Sequence, residues 1–205
     1  MACGLALLAS GQAFAVPVEY YSTGAAGTTI GDADLINTAK WVAGAMNCGS
    51  GTAGTGTMPM AATDWLIVCP GHSLNLTAAT VTAGTLVFDT TGAWGGTKLK
   101  FSPAINKQII NNNASLSSIA LDISSMTTGN AITIGATGQP VTFSGVTGGS
   151  LSCTPIGGTA AAYTPGNPIA VGTSCAVTVV VVNNSVSAPI FSTKEKPAVF
   201  SEEVK

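Results

Sequence analysis

The spacing of hydrophobic residues changes along the chain, and the change predicts where its elements lie. Between Asp32 and Met46, Leu35, Ile36, Ala39, Val42, Ala43 and Met46 recur at helical spacing. Asp32 or Thr29 can cap such a segment, so the pattern predicts one short N-terminal helix over 32–46, ended by Cys48-Gly49. From Asp64 onward the period is two. Trp65 to Cys69 is a compact apolar run, and Pro70-Gly71 turns the chain. Leu74 and Leu76, Leu86 and Phe88, Leu99 and Phe101, Ile119 with Leu121 and Ile123, Ile132 with Ile134, and Val141 with Phe143 then alternate with polar neighbours. Turn clusters rich in Gly, Asn and Thr separate these runs, the mark of a mainly β protein built from short strands.

The most apolar strand is Ser174–Asn183. Cys175, Val177, Val179 and Val181 fall on one face, while Val180 and Val182 make the distal end apolar on the other face as well. Such a strand needs a cover, either the helix at 32–46 or a neighbouring subunit. Two architectures suit strands of this length. A β-solenoid requires a repeat of about 20 residues with matching apolar positions. No common register emerges between residues 70–90, 95–125 and 130–150, so the pattern favours an antiparallel β-sandwich, with the β-solenoid as the alternative.

Composition narrows the function classes. The chain of 205 residues holds only 16 charged ones, seven of them lysines, with no arginine and a net charge of −2. An ordinary soluble domain is about 25% charged, against 8% here. Nucleic-acid binding is excluded by the missing arginines and basic patch. No stretch is long and apolar enough to span a membrane. Residues 1–15, with an apolar run closed by Ala13-Phe14-Ala15, read as a signal peptide cut before Val16. The remaining organisation is an arm, helix and Gly/Thr loop over 16–63, a β unit over 64–124, a second β unit over 125–190, and a charged tail over 191–205.

Loss of Cys3 with the leader leaves Cys48, Cys69, Cys153 and Cys175, an even set that predicts two disulfides in an exported protein. Of the three possible connectivities, the sequential one, 48–69 and 153–175, closes one loop in each half. A zinc site is disfavoured by the single histidine and the absence of a CxxC pair.

The segments Val141-Thr-Phe-Ser-Gly, Leu151-Ser-Cys-Thr-Pro and Pro168-Ile-Ala-Val-Gly-Thr-Ser-Cys-Ala-Val-Thr-Val resemble immunoglobulin-like β-sandwich modules of bacterial secreted and cell-surface proteins. The likeness covers residues 125–185, lacks the usual tandem repetition, and implies a display or assembly module rather than a reaction.

Catalytic groups are sparse. His72, the only histidine, follows Pro70-Gly71 and reads as a solvated turn residue; no Gly-x-Ser-x-Gly elbow accompanies it. Asp32 and Asp34 suggest a helix N-terminus more than a calcium loop, whose terminal glutamate is missing. No enzyme activity, cofactor or metal is expected. Trp94, within Gly92-Ala-Trp-Gly-Gly96, is the aromatic best placed to stack on a ligand. Trp41 and Trp65 read as core. A neutral, strand-rich surface has little charge repulsion to keep copies apart. The chain is thus expected to be a self-assembling subunit of an extracellular filament, sheath or layer. Its partners would be copies of itself or other surface proteins, with Val16, Val18, Tyr20, Tyr21, Val180 and Val182 as candidate assembly residues. Residues 16–21 would add a strand to a neighbour's sheet. A secreted adhesin or carbohydrate-binding module, with glycans as partners, is the alternative.

Overall fold

A computed structural model describes residues 16–44, 48, 61–103 and 106–180. The leader, the end of the expected helix, most of the Gly/Thr loop, the distal end of the 174–183 strand with Val181 and Val182, and the tail lie outside the described residues.

The fold is a β-solenoid, not the sandwich favoured by the strand pattern. Its first stack comprises β1 (Glu19–Ser22), β4 (Trp65–Val68), β7 (Thr85–Phe88), β10 (Lys107–Asn111) and β12 (Ala131–Ile134), each parallel to the next. A second stack holds β2 (Thr29–Gly31), β5 (Ser73–Asn75) and β8 (Ala93–Trp94), also parallel. The third holds β6 (Thr80–Val81), β9 (Leu99–Phe101), β11 (Ile119–Asp122) and β13 (Val141–Thr147). The chain visits the stacks in turn and lays rung on rung, passing over the second stack after β10 and after β12. Parallel neighbours require such crossovers, whereas a sandwich joins antiparallel strands by short hairpins.

The repeat that the sequence must carry is present in its clearest form over two coils. Trp65-Leu-Ile-Val lies beside Thr85-Leu-Val-Phe, Leu74 beside Trp94, and Val81 beside Phe101, each pair twenty positions apart. The spacing then stretches: Gln108 sits beside Thr85, and Ile132 beside Lys107. Those extra residues break any fixed register, which is why the repeat is hard to find by length alone.

Alternation sends one face of each strand inward. Tyr20, Leu66, Leu86, Ile109 and Ile134 form a continuous buried row across the first stack. Ile30, Leu74 and Trp94 do the same in the second. These rows, with Phe88, Phe101, Leu121 and Phe143, merge into one core. Fully burying a side chain of this size contributes about 1.5–3 kcal/mol. Strands on either side of residues 124–130 pair with each other, β10 with β12 and β11 with β13. Where β10 leads to β11 no second-stack strand intervenes, and asparagines hold the corner instead. Asn111 donates to the Pro140 carbonyl at 2.9 Å, and Asn113 donates to the Gly92 carbonyl at 2.9 Å. At that same corner the coils approach so closely that a Cβ on Gly92 would stand 2.3 Å from the Val68 carbonyl oxygen.

No α-helix forms over the described part of 32–46, residues 32–44. The segment makes two 3-10 turns, Asp32–Ile36 and Thr38–Lys40, then enters β3 (Trp41–Ala43), antiparallel to β1. Asn37 interrupts the helix because its side chain accepts the Ala39 N–H at 3.0 Å, offering the backbone a local alternative. Trp41 is fully buried, and its indole N–H donates to the Asp34 carbonyl at 2.7 Å.

The C-terminal part is a cap, and an immunoglobulin-like sandwich is not what residues 125–180 form. β17 (Ser174–Val180) runs antiparallel to β12, followed by β14 (Gly149–Thr154) and β15 (Ala161–Ala162). β16 (Pro168–Ile169) caps the third stack against β13. Tyr163 pins the cap: the Phe143 N–H donates to its Oη at 3.0 Å, and its hydroxyl faces the Asn167 carbonyl at 2.8 Å. The Phe143 and Tyr163 rings meet edge to face at 5.9 Å.

Alternation in β17 also departs from the simple expectation. A bulge lets Leu151 pair with Val177 while Ser150 pairs with Val179. Thr178 is the extra residue, tied to Ser150 by its hydroxyl. The facing of the strand therefore reverses beyond Val177: Val179 is 52% exposed, and Val180 packs against the core.

Candidate functional site

Both expected disulfides are formed, Cys48 to Cys69 and Cys153 to Cys175. Cys69 follows β4 directly, next to the first coil, while Cys153 and Cys175 oppose each other on β14 and β17 in the cap. One bridge therefore lies near each end of the solenoid.

The residues singled out for assembly fall in different settings. Val16 is 84% exposed, and Val18 is partly so. Val18 already gives its N–H to the Asp64 carboxylate at 3.0 Å, and its carbonyl accepts from Trp65 at 2.9 Å. Tyr20 and Tyr21 belong to β1, whose two edges are filled by β3 and β4 of the same chain. Tyr20 points into the core. Trp94, expected on a flexible turn, is the inward-facing residue of β8 and is buried beneath the second stack.

Polar groups with unusual surroundings lie elsewhere. His72 is buried rather than solvated, with Nδ1 2.8 Å from Ser22 Oγ. Ser22 Oγ in turn accepts the Cys69 N–H at 2.8 Å, so the pair fastens the turn after β4 to β1. Lys107 is 2% exposed at an inward position of β10. Its Nζ donates to the carbonyls of Thr82 and Ala83 at 3.0 and 3.2 Å and to Ser102 Oγ at 3.2 Å, and it lies 5.8 Å from the Phe101 ring centroid. Burial brings its pKa down to about 8. Asp32 accepts the Thr77 hydroxyl and the N–H groups of Thr77, Ala78 and Ala79. These donors hold its carboxyl well below the usual range, and they bind the first 3-10 turn to the loop after β5. Among the described residues, no three His, Cys, Asp or Glu side chains converge as a metal site would require.

An open groove of about 410 Å³ lies on the outer face of the first stack. Thr63, Thr85, Asn106, Gln108 and Thr133 line it, with Pro17 at one side. Thr85, Gln108 and Thr133 are successive rungs in register. The row continues to Ser174 on one side and to Trp65 and Glu19 on the other. The next row on that face, Tyr21, Ile67, Val87 and Ile110, is mostly apolar, with Ile67 and Val87 buried. Tyr21 donates to Glu19 at 2.5 Å; burial first, and that bond second, push its phenol up to about 12. A second cavity, about 230 Å³, lies between Thr77, Lys98, Lys100 and Asp122 on the third stack, where Lys98 and Asp122 stand 3.7 Å apart.

Sequence reasoning missed the groove because its members are ordinary strand and loop residues tens of positions apart. Their outward facing was legible from alternation, but their adjacency depends on the coil register. Comparison with protein-family models, with curated proteins and with solved structures found no match, so the site is read from its geometry alone. Among the described residues no helix is long and apolar enough to cross a membrane.

Proposed function

We propose that this chain is an exported, non-catalytic structural protein of the cell surface, whose copies associate side by side into a layer or sheath. The observation that carries the reading is the placement of the two disulfides, one near each end of the solenoid. In a stacked fold each coil contacts only its neighbours, so the terminal coils fray first. Covalent bridges there suit a protein that must persist in an oxidising exterior.

The sheet edges bear on how copies would meet. The nine-stranded sheet ends in β3, three residues long, and in β15, two residues long, both antiparallel to the strands they cover. Short antiparallel end strands blunt strand addition. Association through uncharged side faces is then favoured over end-to-end growth, and the scarcity of charge permits it. Negative-stain microscopy of protein recovered from the cell surface tests this. Ordered sheets or bundles are expected, and dispersed monomers at every concentration would overturn the assembly reading.

A further inference from the structure

We propose that the outward row Trp65, Thr85, Gln108 and Thr133 binds an extended, neutral polysaccharide lying across the strands of the first stack. This goes beyond the structural role and does not depend on it.

Three features carry the inference. First, the row is a ladder: Trp65 pairs with Thr85, Thr85 with Gln108, and Gln108 with Thr133. Neighbouring strands are about 4.8 Å apart, so the partly exposed Trp65, Gln108 and Thr133 lie along a straight path, with the buried Thr85 between Trp65 and Gln108. A polymer with regularly spaced hydroxyls can follow such a path. A peptide has no comparable route, because the interior strands already have both edges paired and cannot accept another strand.

Second, the polar groups of the row retain hydrogen-bonding capacity. Thr85 and Gln108 meet at 3.5 Å and Thr133 and Ser174 at 3.4 Å, the far limit of a hydrogen bond. The Gln108 amide nitrogen has no partner among the described residues. Hydroxyl and amide side chains both donate and accept, which matches sugar hydroxyls. The groove itself exposes no cationic or acidic head group: Lys107 contributes to its wall, but its Nζ is committed to the interior. The only carboxylate in the row is Glu19 at its far end, already bonded by Tyr21. That selects a neutral ligand over an anionic one.

Third, Trp65 is the partly exposed, outward-facing member of β4, in contrast to buried Trp41 and Trp94. An indole beside a ladder of hydroxyls supplies the flat apolar face on which a sugar ring stacks.

The asymmetry among the tryptophans provides the readout. The full chain is titrated with soluble neutral polysaccharides (hydroxyethyl cellulose, xyloglucan, glucomannan and soluble starch) and with anionic polygalacturonate, following tryptophan fluorescence and mobility in affinity gels. At least one neutral polymer is expected to shift the emission and retard the protein, with polygalacturonate bound at least tenfold more weakly. Trp65→Ala is expected to abolish the fluorescence response and weaken retardation about tenfold, a loss typical of one stacked aromatic. Gln108→Leu and Thr133→Val, which keep side-chain volume, are expected to weaken retardation severalfold while leaving the melting temperature near that of the parent. They keep the test decisive where Trp65→Ala perturbs folding. The proposal is overturned by the absence of binding to every neutral polymer, by equal binding to polygalacturonate, or by unchanged binding in the two conservative variants.

Discussion

Cys153 and Cys175 stand directly opposite each other on antiparallel neighbours, and the disulfide between them closes the capped end of the solenoid. Their separation of 22 residues makes the bridge a loop closure of moderate length. Replacing both with serine is expected to cost about 3 kcal/mol of stability by the chain-entropy relation. Urea unfolding should show a lower midpoint, and hydrogen exchange in β12, β14 and β17 should accelerate more than in β4. Uniform acceleration across all coils would mean that the cap does not act as an end clamp.

Gly92 is a steric keystone rather than a flexible joint. A methyl group there would stand 2.3 Å from the Val68 carbonyl oxygen. Gly92→Ala should destabilise the protein by about 1–3 kcal/mol, the usual cost of overpacking. Gly145, where an added Cβ meets nothing within 4 Å, is the control, and Gly145→Ala should lie within about 0.5 kcal/mol of the parent. Thermal melts of the two variants measure the difference.

The Tyr163 hydroxyl is the cap's polar anchor. Tyr163→Phe keeps the ring packed on Phe143 and removes the bonds to Phe143 and Asn167. The loss should be about 1–2 kcal/mol, since the Phe143 N–H is left without its acceptor. The same variant should loosen β16 in hydrogen exchange while leaving the first coil unchanged.

Stability should pass through a maximum near pH 10. Lys107 releases its proton at about 8 in the folded chain against 10.5 ordinarily, so between those values the unfolded chain holds the extra proton and stability rises with pH. Tyr21 holds its proton to about 12 against an ordinary 10.0, and Tyr20 and Tyr163 are raised as well. Above pH 10 the folded chain therefore holds the extra protons, and stability falls. Urea midpoints between pH 7.5 and 11.5 should trace the rise and fall, and Lys107→Met should flatten the rising limb only.

Most strands and both disulfides were legible in the sequence, because alternation and cysteine parity report local facts; β10 and β3 were not. The architecture was less so. Leu66 over Leu86 and Leu74 over Trp94 do spell out a coil of twenty residues, but the stretch at Gln108 and Ile132 hides the continuation. The false helix at 32–46 arose because Leu35, Ile36, Ala39 and Val42 mimic helical spacing, although Leu35 and Val42 are buried from a 3-10 turn and a strand. Simple alternation puts Val180 on the face opposite Cys175 and Val177, because the bulge at Thr178 has no signature in composition. Lys107 carries little warning either: alternation puts it on the face of Ile109, but a lysine at a strand start reads as solvated, and only the stacking of the coils buries it. The groove was invisible because Thr63, Thr85, Gln108 and Thr133 become neighbours only when coils stack.

The central claim, an exported solenoid bridged near both ends, is tested most directly by non-reducing peptide mapping of the protein recovered from outside the cell. The account predicts that the protein accumulates there, with linked peptides joining Cys48 to Cys69 and Cys153 to Cys175 and no free thiol at these four positions. Recovery only from the cytosol with the four cysteines reduced, or any other pairing among them, would contradict it.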